Sequence, residues 1–121
     1  MRYALLIHQD ESGWQALEDA DRAAIVRRYY ELHELLRAQG RFVDAGRLLP
    51  ASRSRTLRSD GREIVVTDGP FADTKEQFAG YLIVEAPDLE EATTIARRIP
   101  SLPFGAVEVR PMMELPPEAP A

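Results

Sequence analysis

The chain has no cysteine, and only two histidines in 121 residues. Without cysteine there is no disulfide framework, thiol nucleophile or thiolate metal site, so the fold rests on packing alone, which fits a reducing cytoplasm. The histidines, His8 and His33, are not in a His-x-x-x-His or comparable arrangement, and neither a metal nor another cofactor is expected. There is no glycine-rich phosphate loop, no Gly-x-Ser-x-Gly elbow and no dinucleotide fingerprint, which removes several enzyme classes. Nor does any segment approach the roughly 20 apolar residues that cross a bilayer. The N-terminal run Tyr3–Ile7 is shorter than a signal-peptide core, stops at His8 and is followed by acidic Asp10 and Glu11, so it reads as a buried strand. A soluble, cytoplasmic protein without membrane contact is expected.

Basic residues are also the minority, 15 against 20 acidic for a net charge of −5. This gives no general attraction for nucleic acid. The arginine groups Arg27-Arg28, Arg53/Arg55/Arg58 and Arg97-Arg98 have no interleaved aromatic platform, and a solvated surface role is expected for them.

What is present is 45% hydrophobic residues, enough for one core and one domain. Residues 2–8 are apolar on both faces, as a central strand is. Ser12 with Gln15 reads as a capping box, Asp19 as the cap of a helix running to Gln39, and Gly40 as its stop. Ile25, Tyr29, Leu32 and Leu36 form that helix's inward stripe, with His33 at its boundary, solvated or locally bonded. A strand is expected over 42–48 and a hairpin over 54–58 and 62–67, with a tight turn at Asp60-Gly61. Tyr81–Val84 is another strand apolar on both faces. Asp88 with Glu91 opens a second helix, with Ala92, Ile95, Ala96 and Ile99 inward, and Pro100 and Pro103 close it. Residues 106–110 alternate as a last strand. The domain spans 1–110, and 111–121 is a proline-rich, extended or mobile tail.

This order predicts an α+β, ferredoxin-like antiparallel sheet with two helices on one face, elaborated by a β-hairpin. Strands apolar on both sides leave the opposite face in need of cover, and a second copy of the chain is the simplest cover.

Between the hairpin and the next strand lies Asp68-Gly69-Pro70-Phe71, continued by Ala72-Asp73-Thr74-Lys75-Glu76. This segment resembles the signature of the DGPF branch of the YCII-related (YciI-like) family, and the resemblance runs from Met1-Arg2-Tyr3 to Val107–Pro111. It implies a homodimer in which two sheets pack as a dimeric α+β barrel, within a group that includes enzymes acting on small aromatic and lactone-like compounds. It also implies a histidine on the first helix, paired with an aspartate for acid/base work. Counted back from Gly40, that position is Tyr29, and His33 lies one turn later. A tyrosine titrates near pH 10, so Tyr29 is better suited to donating a hydrogen bond.

Two roles stay open for Asp68. It fixes the bend before Gly69-Pro70, or it acts as a general acid or base at a cleft mouth. His8, at a strand end near Asp10 and Glu11, is a third catalytic candidate beside Asp68 and Tyr29. Lys75 is a candidate anchor for a carboxylate or phosphate, with Phe71 as the other candidate substrate contact. Together these describe a small acid/base or ligand-binding dimer acting on a small polar organic molecule, in a pocket between sheet and helix. The alternative, from the resemblance, is a non-catalytic binding module associated with sigma-factor-dependent transcription.

Overall fold

The computed structural model describes residues 1–115. The chain runs β1 (Arg2–Asp10), α1 (Glu11–Gln15), α2 (Asp19–Ala38), β2 (Phe42–Arg47), β3 (Arg55–Ser59), β4 (Ile64–Asp68), β5 (Glu76–Glu85), α3 (Leu89–Ala96) and β6 (Gly105–Pro111). β2, β5, β1 and β6 form, in that order, a four-stranded antiparallel sheet. Helices on one face of that sheet make this a ferredoxin-like α+β fold. Short 3-10 turns follow β2 and α3.

The inner face of the sheet carries Tyr3, Leu5 and Ile7 of β1 and Leu82 and Val84 of β5. These pack in one cluster with Leu32 and Leu36 of α2 and Ala92, Ile95, Ala96 and Ile99 around α3. Both inward stripes expected from periodicity therefore meet in a single core. On the opposite face Ala4, Leu6, Tyr81 and Ile83 alternate with the core residues and stay partly exposed.

α2 has acidic Asp19 and Asp21 in its first turn and Arg37 in its last, matching the helix dipole at both ends. It closes in a Schellman motif. Arg41 N–H donates to Leu36 C=O and Gly40 N–H to Arg37 C=O, with Gly40 at a φ of 70° that favours glycine.

Several boundaries differ from those read in the sequence. β1 continues to Asp10, because its end pairs with Gln77 and Glu76 of an earlier-starting β5; a bulge at Ile7/His8 skips Ala79. Asp10 thus sits at the strand–helix junction and caps α1 in place of Ser12, its carboxylate accepting from Ser12 and Gly13 N–H. Asp19 is inside α2, whose N-cap is Glu18 with no side-chain cap bond. The α3 cap is as expected, Asp88 accepting from Glu91 N–H at 2.9 Å.

β3 and β4 form a separate two-stranded sheet in which every residue of β4 is exposed. Their connection spans residues 60–63 rather than a tight two-residue turn, because the Asp60 carboxylate accepts from both Arg62 and Glu63 N–H and widens the loop. Of the proline-rich end, Pro111 closes β6 opposite Tyr3, and residues 116–121 lie outside the described residues. No helix among the described residues is long and apolar enough to cross a membrane.

Candidate functional site

Between α2 and the β1–β5–β2 part of the sheet lies a partly enclosed cavity of about 210 Å³. α2 contributes Tyr29 and His33, the sheet Gln9 and Arg47, and α1 contributes Trp14. Tyr29 faces inward because it belongs to the apolar stripe. Its hydroxyl forms a hydrogen bond with the Ser101 hydroxyl, which lies just before the second 3-10 turn. Ser101 is the buried polar residue of the chain's described part, 2% exposed. His33, four residues after Tyr29, lies on the same helix face, its ring between those of Tyr29 and Phe42 at 6.2 and 5.3 Å. It is half-buried here rather than solvated.

On the outer face of the same strands, a close approach packs β2 against β5. Gly46 lies against the Tyr81 ring so tightly that a Cβ at Gly46 would sit 2.6 Å from a ring carbon. Tyr81 in turn donates a 3.5 Å hydrogen bond to Asp44. At the cavity rim the Arg47 guanidinium lies 4.7 Å over the Trp14 ring. α1, which carries Trp14, is tied to α2 by the Arg22 guanidinium, which donates to the Trp14, Gln15 and Leu17 carbonyls.

Burial pushes the Tyr29 phenol above its ordinary 10.0, against opposing hydrogen bonds from Ser101 and the charge of Arg47. Burial, with help from the Arg37 charge, pushes His33 below its ordinary 6.5, against Glu34. At neutral pH the cavity therefore presents a protonated phenol, a neutral imidazole and one guanidinium. No Asp or Glu lines it. Such a set can donate hydrogen bonds, accept one at imidazole and hold a negative charge at the rim. Among the described residues no cluster of three or more His, Asp or Glu side chains could hold a metal ion.

The YCII-related domain family matches residues 1–116. The chain belongs to this family. An uncharacterised protein of Rhizobium meliloti (strain 1021) is 36% identical in a comparison that covers 93% of this chain and 92% of that protein.

Within this YCII-related domain the candidate residues fall in three places. Tyr29 lines the cavity. His8, Phe71 and Lys75 line a second, more open groove of about 1050 Å³ beside the outer sheet face, where the His8 ring lies 5.6 Å from that of Phe78. Lys75 is also close enough to Asp10 to help hold its carboxyl below the usual value, after the hydrogen bond from the Ser12 hydroxyl. Phe71 is 72% exposed, under the Arg58 guanidinium at 4.7 Å. Asp68 lines neither space. It ends β4 with its side chain 80% exposed and accepts from Arg55 Nε at 2.9 Å.

Sequence reasoning passed over His33 as a boundary residue and did not single out Ser101, Arg47 or Trp14 for chemistry. The i, i+4 spacing of Tyr29 and His33 was the available signal for the first. No local signal marks Ser101, which is 72 positions from its partner.

Proposed function

We propose that this YCII-related domain binds a small polar organic molecule in the cavity between α2 and the sheet, and works as a homodimer. The observation that carries this reading is the hydroxyl pair of Tyr29 and buried Ser101 set in a largely apolar cavity, since a few convergent polar groups in an apolar recess are what orients a small ligand. Tyr29 and His33 also supply a protonated phenol beside a neutral imidazole, the groups needed to move a proton on a bound ligand. In this reading Asp68 acts on conformation, bracing the strand end through Arg55. His8, Lys75 and Phe71 belong to the groove that a second copy would close.

Dimerisation is supported by the outer sheet face, where Ala4, Leu6, Tyr81 and Ile83 are left partly exposed beside exposed Phe78. Two such faces stacked about 10 Å apart would bury them. Light scattering on the eluting protein should give twice the chain mass, and Leu6→Glu or Ile83→Glu should give the chain mass. A monomer at tens of micromolar for the unmodified chain would remove the dimer.

For the ligand, a thermal-shift panel of small organic acids, phenols and lactones should yield compounds that stabilise the protein, with the shift reduced in Tyr29→Phe. A panel without a single stabilising compound, together with recovery of a sigma factor on the immobilised chain, would replace this reading with that of a non-catalytic module.

A further inference from the structure

The charge distribution around the cavity narrows its ligand. Overall the chain is acidic, with a net charge of −5, yet no carboxylate lines this space. Its one guanidinium is Arg47. The arginines at 2, 22, 37, 41, 55 and 110 each pair with a carboxylate; among the described residues Arg47, like those at 27, 28, 53, 58, 62, 97 and 98, has no ion-pair partner, and of these it is the one that lines the cavity. It lies against the Trp14 ring, which holds the planar fork in place and leaves its donors to a ligand. Trp14 and Tyr29 supply aromatic walls, which suit a flat ligand. About 210 Å³ is roughly seven waters' share of liquid volume, so there is space for about one ring and a substituent. At the inner end the Tyr29–Ser101 pair offers hydrogen-bonding groups to a second polar atom.

We infer that the cavity takes a small planar organic monoanion of about one ring, with its carboxylate on Arg47 beside Trp14 and its opposite end toward the Tyr29–Ser101 hydroxyls. This rests on the cavity being the ligand site. A lone guanidinium matches a single carboxylate in a two-point bond, whereas a phosphate dianion would call for further cations or a ring of backbone N–H groups, and the cavity has no second arginine or lysine.

The chain has a single tryptophan, so its fluorescence reports Trp14 directly. The full chain is titrated at constant ionic strength with benzoate, with benzamide as its uncharged isostere, and with inorganic phosphate. Benzoate and benzamide should both change the Trp14 signal saturably, benzoate with a Kd at least about tenfold lower, the usual worth of a charged hydrogen-bonded contact. Phosphate should have no saturable effect. Arg47→Gln should raise the benzoate Kd to that of benzamide and leave benzamide unchanged. Arg47→Lys, which keeps the charge but loses the fork, should retain part of the preference and serves if the glutamine variant folds poorly by circular dichroism. Arg62→Gln, at the hairpin tip, should keep the full preference. Equal Kd values for the two probes, or a preference that survives Arg47→Gln, would overturn the monoanion assignment and leave the cavity as a site for neutral ligands. If neither aromatic probe changes the Trp14 signal or the amide resonances of Tyr29 and His33, the cavity itself is not the ligand site and both readings fall.

Discussion

A double-mutant cycle on Tyr29 and Ser101 tests the contact on which the candidate site is built. Tyr29→Phe keeps the ring in the apolar stripe but leaves the Ser101 hydroxyl, 2% exposed, without its side-chain partner, at a cost of about 1–3 kcal/mol. Ser101→Ala removes the same bond from the other side. Tyr29 is only part-buried and its hydroxyl borders the cavity, where water can replace the serine, so the cost should be smaller, about 0.5–1.5 kcal/mol. The double variant removes both polar groups and strands neither. It should be less destabilised than the sum of the singles, by about 1 kcal/mol or more. With an unfolding entropy of about 2.1 cal/mol/K per residue, 121 residues give about 0.25 kcal/mol/K, so a loss of 2 kcal/mol lowers Tm by about 8 °C. Urea unfolding by far-UV circular dichroism, at one protein concentration throughout, measures all four corners. Additivity within about 0.3 kcal/mol would mean that the two hydroxyls do not share a buried bond, and the polar end of the cavity would have to be placed elsewhere.

The raised Tyr29 phenol contributes stability that is present below pH 10.0 and lost as pH rises through its higher folded value, so the advantage of the native chain over Tyr29→Phe should shrink in alkali. His33 carries the opposite sign. Its folded value lies below 6.5, the unfolded chain takes the proton first, and stability should fall as pH drops from above 6.5 toward the folded value; His33→Gln should flatten that part of a Tm-against-pH curve. Leu5→Ala, at 0% exposure in the sheet centre, should cost about 2–5 kcal/mol, whereas Asp68→Asn, which loses only an exposed pair with Arg55, should cost less than about 1 kcal/mol in the same urea experiment. A Cβ at Gly105 would lie 2.0 Å from the His8 carbonyl oxygen, so Gly105→Ala should cost about 1–3 kcal/mol, with amide-exchange protection lost first along β6.

Much of the fold was legible because it is written in short periods. The spacing of Ile25, Tyr29, Leu32 and Leu36 gave the inward face of α2, and the two-sided apolar runs at residues 3–7 and 81–84 are the two central strands. Boundaries were less legible where pairing rather than composition sets them. Polar Glu76 and Gln77 carry no strand signal, yet they join β5 because the end of β1 offers them partners. The same extension moved the α1 cap from Ser12 to Asp10.

The sequence alone determined the order of elements, the inward stripes and the family, because these depend on neighbours within a few residues or on a contiguous motif. Only the tertiary structure decided which polar groups converge. Tyr29 meets Ser101 across 72 positions and Arg47 reaches Trp14 across the β2–α1 rim, while the Asp68 of the most conspicuous segment is held outside on the β3–β4 hairpin. The physical reason is that convergence is set by helix-on-sheet packing and strand register, and these come from contacts between residues far apart in the chain.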